Sequence, residues 1–180
     1  MTRQINLALA TFFPRKAIDG FQLFDTSVYN TRVRPGDLDI YMHVNNAVYL
    51  NMMDSARSHL IADMDGMKKL NKLGWYPVVA ASSVTYKASL LLGQKAVVET
   101  RVVGWDPRIC YLSQTIKHNN KIVTEAWVAA RFLSKHGKNP SPAQVMDVLG
   151  YQQNTPVLPE PLRVWANAVG VLFRQKPENQ

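Results

Sequence analysis

The densest group of reactive side chains in the sequence lies between Asp37 and Asn46. Asp39 carries a carboxylate that is ionised near neutral pH, and His43 can donate a hydrogen bond or shuttle a proton. The segment is expected to lead into a helix, where free backbone N–H groups and the helix dipole stabilise developing negative charge. A carboxylate, a histidine and an oxyanion site are the parts that acyl transfer needs.

The spacing of Asp39 and His43 limits how the two side chains can cooperate. Four residues span about 13 Å in an extended chain and about 6 Å in a helical turn. Either the loop folds back so that both residues reach one carbonyl group, or the two residues serve the sites of different subunits.

The flanking residues predict the elements that position this loop. Loose alternation from Phe21 to Val33 predicts a strand, which Arg34-Pro35-Gly36 ends. Apolar residues at intervals of three and four then predict a helix from about Asn46 to Leu60, with Asn45 or Asn46 as its N-cap.

The second half of the chain changes to the period of strands. We predict an antiparallel meander of four consecutive strands, long enough to curl around one helix, at Val78–Lys87, Ala96–Trp105, Ile109–His118 and Lys121–Leu133. Asn119-Asn120 accepts positive φ and predicts a tight hairpin turn.

Composition narrows the class of protein. The 180 residues are 47% hydrophobic with a net charge of +8, which excludes a disordered chain and suggests an anionic partner. The basic residues form no compact run or nucleic-acid motif, so we expect no nucleic-acid partner. No apolar run is long enough to span a bilayer, so we expect no stable membrane insertion. The single cysteine, Cys110, fits a reducing compartment and predicts a cytoplasmic location.

One family resemblance covers most of the chain. Asp37-Leu38-Asp39, then His43-Val44-Asn45-Asn46-Ala47, then Tyr49, resembles the signature of hot-dog-fold acyl-CoA thioesterases of the 4-hydroxybenzoyl-CoA thioesterase-like family. The order of predicted elements from about Phe24 to Leu133 is also similar to the whole hot-dog domain. The resemblance implies an α+β fold, with a curved antiparallel sheet wrapped around a central helix and extra terminal helices.

We therefore expect a hot-dog domain at residues 21–135. An N-terminal helical extension at residues 1–20 and a C-terminal helical extension at residues 136–180 flank it.

The resemblance also implies roles for individual residues. Asp39 becomes the catalytic carboxylate, acting as nucleophile or general base. His43 and Asn45 or Asn46 orient the thioester, and backbone N–H groups at the helix start form the oxyanion hole. Because family members differ in where the carboxylate comes from, Asp54 on the helix is the alternative.

Substrate contacts are predicted for Tyr41, Tyr49, Met53 and Asp54, although Met53 also fits the core. Tyr41 stands where some relatives have asparagine, and Met42 replaces a common glycine. No residues have metal-ligand spacing, so we expect no metal or other cofactor, and coenzyme A is part of the substrate.

The resulting prediction is hydrolysis of an acyl-CoA or related thioester to a free acid and a thiol. The alternatives are a dehydratase or hydratase acting on acyl thioesters, and a non-catalytic protein that binds acyl-CoA or lipid. An uncovered sheet edge and face predict a homodimer or homotetramer.

Overall fold

The computed structural model describes residues 3–173, without the side chains of residues 4 and 6. Residues 1–2 and 174–180, the outermost parts of the two predicted extensions, lie outside the described residues. In chain order the elements are α1 (Arg3–Phe12), β1 (Ser27–Arg32), α2 (Asn46–Asp63), α3 (Gly66–Leu73), β2 (Trp75–Tyr86), β3 (Lys95–Trp105), β4 (Cys110–His118), β5 (Lys121–Ser134), α4 (Pro142–Leu149) and α5 (Glu160–Ala168).

The five strands form one antiparallel sheet in the order β1-β3-β4-β5-β2. The predicted meander is correct for β3, β4 and β5, and Asn119 and Asn120 form the hairpin turn at positive φ. It is wrong for β2, which pairs with β5 at one edge and does not contact β3 as a neighbour. Alternation identifies a strand but not its partner, because every strand with one buried face has the same period.

Helix α2 packs its apolar face against the sheet. The fully or almost fully buried residues on this face recur at helical spacing and are Tyr49, Met52, Met53, Ala56 and Leu60. The side chain of Asn45 accepts a hydrogen bond from the Ala47 N–H at 2.9 Å, which confirms the predicted N-cap. The helix begins where predicted and continues slightly further, to Asp63.

The first and last helices of the described residues pack onto this layered core. Helix α1 lies along α2, and α5 covers part of the opposite face of the sheet. There Leu162 and Ala166 are fully buried in a cluster with Tyr111 and Ala129. The first strand, β1, is shorter than predicted, since residues 21–26 form turns and loops that bury Leu23.

The two edges of the sheet differ. Two arginines that precede β1 in the sequence cap carbonyl groups on that strand: Arg15 donates from Nη1 to the Val28 carbonyl at 2.8 Å, and Arg3 donates from Nη2 to the Arg32 carbonyl at 2.9 Å. The other edge is β2, a strand of 12 residues. Within residues 3–173, no carbonyl on the outer edge of β2 has a similar cap.

None of the helices in the described part of the chain is long and apolar enough to cross a membrane.

Candidate active site

The loop before α2 folds back on itself at Asp39. The Asp39 carboxylate oxygen Oδ1 accepts hydrogen bonds from the backbone N–H groups of Tyr41 at 2.8 Å and His43 at 3.2 Å. In return the Asp39 N–H donates to the His43 carbonyl at 2.8 Å. The loop is therefore curled, and it brings Asp39 to the backbone of His43 within one chain; that both side chains reach one carbonyl group stays a prediction.

The turn depends on a left-handed residue. Met42 has φ +61°, and its N–H donates to the Asp39 carbonyl at 3.1 Å. A side chain at positive φ brings its Cβ too close to the backbone, which costs about 1–2 kcal/mol and explains why a glycine suits this position.

We predict that Met42→Gly unfolds with a free energy equal to the wild type or up to about 1 kcal/mol higher, because it relieves this strain. Met42→Val should lower that free energy by about 1–2 kcal/mol, because a β-branched residue tolerates positive φ worst. Met42 is 61% exposed, so little burial is lost in either variant. Urea unfolding at pH 7 measures both, and a Met42→Val protein as stable as the wild type would contradict the prediction.

The fold leaves reactive atoms open at the base of this loop. Among residues 3–173, no donor reaches the second carboxylate oxygen of Asp39, Oδ2. The Asn46 N–H, in the first turn of α2, likewise has no acceptor among them. The segment that leads into α2 therefore holds an unpaired carboxylate oxygen, and the helix begins with an unpaired backbone donor at its positive end.

The remaining predicted catalytic residues have distinct positions. His43 is exposed beside the turn, and it forms an isolated bridge to Leu91 through its backbone. Asn45 caps the helix with its side-chain oxygen, so that oxygen is not free to orient a thioester. Asn46 is exposed, and its carbonyl accepts a hydrogen bond from the Tyr86 hydroxyl at 3.2 Å.

The tip of the loop is apolar and open to solvent in the single chain. Ile40 is 88% exposed and Tyr41 is 75% exposed. Tyr41 follows Asp39 by two residues and its side chain is exposed, so its predicted contact with the substrate stays a prediction.

Two of the predicted substrate contacts are not supported. Tyr49 and Met53 are buried under the loop in the core between α2 and the sheet. The Tyr49 hydroxyl accepts a hydrogen bond from the Leu90 N–H at 2.9 Å, and burial raises its pKa. Neither side chain has surface to offer a ligand, so their signature positions reflect packing.

Asp54, the alternative carboxylate, belongs to a different arrangement on the side of α2. It forms an ion pair with Arg57, whose Nη1 donates to Gln114 Oε1 at 2.5 Å. Gln114, buried on β4, donates to the Met53 carbonyl at 3.0 Å and to Thr100 Oγ1 at 2.9 Å. The sequence reasoning missed Gln114, although a glutamine at an inward position among apolar residues of a strand was a visible signal.

Asp37, by contrast, has a structural role. It is only 3% exposed and forms a two-pronged salt bridge with Arg3, whose Nε and Nη2 lie 2.9 and 2.5 Å from its oxygens. Burial acts to raise the pKa of Asp37, but hydrogen bonds from Arg3 and the Arg34 backbone outweigh it and hold the pKa below its usual value.

A cavity of about 360 Å³ opens between the later half of α2 and the sheet. Asp54, Arg57 and the start of β2 lie along it, and α1 and α3 complete its walls. Its inner wall is apolar and includes Val102, Cys110, Leu112, Ala130, Phe132 and Met146. Across residues 3–173, no three His, Cys, Asp or Glu side chains are grouped so as to hold a metal ion.

Solved structures share this fold. The probable thioesterase YbaW from Escherichia coli matches with a TM-score of 0.62 at 22% identity, over 68% of this chain and 96% of that chain. Protein SAV2348 from Staphylococcus aureus, solved in complex with CoA, matches with a TM-score of 0.56 at 14% identity, over 89% of this chain and 94% of that chain. The predicted α+β hot-dog fold is thereby confirmed.

Sequence comparison identifies the family. Protein THEM6 of Drosophila melanogaster is 30% identical over 137 residues, which cover 74% of this chain and 68% of that protein. The chain spans about two thirds of the length of the THEM6 proteins that it matches. A family model, the thioesterase-like superfamily, matches residues 33–163 and supports thioester hydrolysis as the class of reaction. The predicted family is confirmed: the chain belongs to the thioesterase-like superfamily.

Proposed function

We propose that the protein hydrolyses an acyl-CoA to a free acid and coenzyme A, with Asp39 as the catalytic carboxylate. The observation that carries the proposal is the Asp39 turn, which holds a carboxylate with one unpaired oxygen in the loop that leads directly into a helix with an unpaired first N–H. The CoA-bound structure of SAV2348 supports CoA as the thiol carrier.

Two routes are consistent with this geometry and give the same products. Asp39 can attack the thioester carbonyl, which expels the thiolate and leaves an acyl–aspartyl anhydride that water then opens. Alternatively, Asp39 takes a proton from a water molecule as that water attacks the carbonyl, and the proton passes to the leaving thiolate. In both routes the carbonyl oxygen becomes negative, and the Asn46 N–H is the donor that we assign to it.

The proposed reaction needs no metal or redox cofactor, since the carboxylate and the backbone donor supply the chemistry. Cys110 is not part of it, because its thiol is buried and burial raises its pKa to about 12. A buried free thiol fits the proposed cytoplasmic location.

A thiol-release assay across acetyl-, dodecanoyl- and 4-hydroxybenzoyl-CoA tests the activity. Thiol release from at least one of them, lowered at least about 10²-fold in Asp39→Asn, supports the proposal. Release from none would favour a binding protein, and addition of water to an enoyl-CoA without thiol release would favour the hydratase alternative.

We also propose a homodimer that pairs the β2 strands of two chains. Arginines cap the β1 edge, whereas the β2 edge has 12 residues available for a new ladder. Antiparallel pairing around a two-fold axis through the middle of β2 brings its Tyr86 end next to the Trp75 end of the partner strand. The hydrogen bond from Tyr86 to Asn46 ties the Asp39 loop to the first of these ends, and the cavity lies at the second.

The dimer is testable with matched edge variants. Val79 on β2 is 46% exposed and Val28 on β1 is 40% exposed, so Val79→Lys and Val28→Lys make the same change at opposite edges. We expect the wild type and Val28→Lys to scatter light with about twice the mass of the 20.3 kDa chain. Val79→Lys should be a monomer with activity lowered at least about tenfold, because it places two like charges close to the two-fold axis on adjacent paired strands. A wild-type protein that is an active monomer would overturn the proposed dimer.

A further inference from the structure

The cavity beside α2 is unusual for a protein core. Interiors are close-packed and leave few voids larger than a water molecule, yet about 360 Å³ is open here within one of the apolar core clusters. That volume falls in the range of ligand pockets.

The chemistry of the walls separates the mouth from the interior. The polar groups Asp54, Arg57 and Asn71 lie on α2 and on α3 beside the exposed start of β2. The inner wall consists of apolar side chains, with the neutral thiol of Cys110 among them. A hydroxyl or carboxylate carried deep into this cavity would lose its hydration without gaining a hydrogen bond, which is costly.

We propose that this cavity holds the chain of a linear aliphatic acyl-CoA, and that it serves the Asp39 loop of the partner subunit. The inference rests on the proposed hydrolysis and dimer, and it names their substrate class. An apolar cavity of about 150 Å³ takes one benzene ring, so 360 Å³ has room for roughly twelve to fourteen carbons.

We assign the cavity to the Asp39 loop of the partner subunit because of the distance along α2 between the cavity and the loop of the same chain. Asp54 lies eight residues after Asn46, which is about 12 Å along α2, and the Asp39 loop lies beyond the other end of that stretch. Within one chain, much of an acyl chain would cross exposed surface before it entered the cavity. Across the proposed two-fold axis, the Asp39 loop of one chain comes next to the Tyr76 end of β2 of its partner, where the cavity opens.

The first test is a chain-length series. Dissociation constants of butyryl-, octanoyl-, dodecanoyl- and 4-hydroxybenzoyl-CoA are measured by calorimetry on the Asp39→Asn variant, whose slow turnover preserves the ligand during the titration. We expect affinity to rise up to roughly fourfold for each added methylene and to level off near twelve to fourteen carbons. Affinity that does not depend on chain length, or that is highest for the hydroxylated aromatic group, would overturn the proposal.

The second test fills the cavity. Val102 on β3 faces the cavity, and Val97 on the same strand lies on the opposite face of the sheet, away from it. We expect Val102→Phe to lower kcat/KM for dodecanoyl-CoA at least about tenfold and for butyryl-CoA less than twofold. Val97→Phe should change neither. Ala130→Leu, which also narrows the cavity, is the second variant if Val102→Phe unfolds below the assay temperature.

The third test asks which subunit supplies the cavity. Heterodimers of an Asp39→Asn chain and a Val102→Phe chain, purified with two different affinity tags, contain one intact site only if loop and cavity come from different chains. We expect about half of the wild-type activity on dodecanoyl-CoA per dimer. If loop and cavity belonged to the same chain, each site would carry one defect and activity would stay at least about tenfold below the wild type, which would overturn the assignment to the partner.

These results separate failure of the inference from failure of the proposed function. Length-dependent binding of acyl-CoA without thiol release would uphold the cavity and reject hydrolysis. Hydrolysis of butyryl- or 4-hydroxybenzoyl-CoA, with dodecanoyl-CoA neither bound nor hydrolysed, would uphold the proposed hydrolysis and reject the cavity as the binding site of a linear aliphatic chain.

Discussion

Asp39→Asn lowers kcat for acyl-CoA hydrolysis by at least roughly 10²–10⁴. This factor is the usual contribution of a general base. The variant removes the charge and the proton acceptor but keeps the shape of the turn. An asparagine Oδ1 can accept the same two hydrogen bonds, from the N–H groups of Tyr41 and His43, that the carboxylate Oδ1 accepts. The loss is therefore expected in turnover, with an unchanged thermal unfolding temperature.

Two other carboxylates make this experiment decisive. Asp65 is exposed at the N-cap of α3 in a left-handed conformation that asparagine tolerates, so Asp65→Asn should keep full activity. Asp54→Asn tests the helix carboxylate directly. Near wild-type turnover in Asp39→Asn, together with a loss of more than about 10² in Asp54→Asn, would move catalysis to α2.

Arg3→Met lowers the free energy of unfolding by about 3–5 kcal/mol at pH 7, which is the largest effect on stability that we expect. It leaves the carboxylate of Asp37 without its ion-pair partner in a site that is 3% exposed. It also removes donors to Thr31 Oγ1 at 2.6 Å and to the Arg32 carbonyl, so α1 loses its attachment to β1. Urea unfolding at fixed protein concentration gives the difference in free energy.

The difference in the free energy of unfolding between the wild type and Arg3→Met depends on pH, because the pKa of Asp37 is lowered in the folded state. A carboxyl group with a folded-state pKa below its unfolded value stabilises the fold above the unfolded pKa, about 3.9, and this contribution disappears as pH falls through the folded pKa. The difference in the free energy of unfolding between the wild type and Arg3→Met should therefore have its full size at pH 7 and become smaller below about pH 4.

The double variant Arg3→Met with Asp37→Leu should recover much of the stability, because no unpaired buried charge remains. A loss below 1 kcal/mol in the single variant would contradict this account.

Local patterns predicted the parts of the fold that local physics determines. The start of α2 was predictable because Asn45 supplies the cap oxygen, and the hairpin was predictable because Asn119 and Asn120 tolerate positive φ. The curled Asp39 loop was one of two alternatives, and the structure forms it through hydrogen bonds to Asp39 and the positive φ of Met42.

The pairing of strands and the roles of buried residues depend on contacts between distant segments. Alternation placed β2 next to β3, whereas the sheet places it beside β5, since the period of a strand carries no information about its neighbour. Tyr49 is part of the family signature, yet its hydroxyl supports Leu90, 41 positions away. The Arg57–Gln114 pair joins residues 57 positions apart, so no local spacing could reveal it.

The arginine caps on β1 also determine how far assembly along the sheet can proceed. A sheet with two open edges can add chains at both sides and grow into a filament, whereas a sheet with one open edge can join only one other chain in that direction. Because Arg3 and Arg15 occupy two carbonyl groups of β1, we infer that the N-terminal segment blocks the addition of a further strand at this edge. In the proposed dimer, growth through strand pairing would then end at two chains.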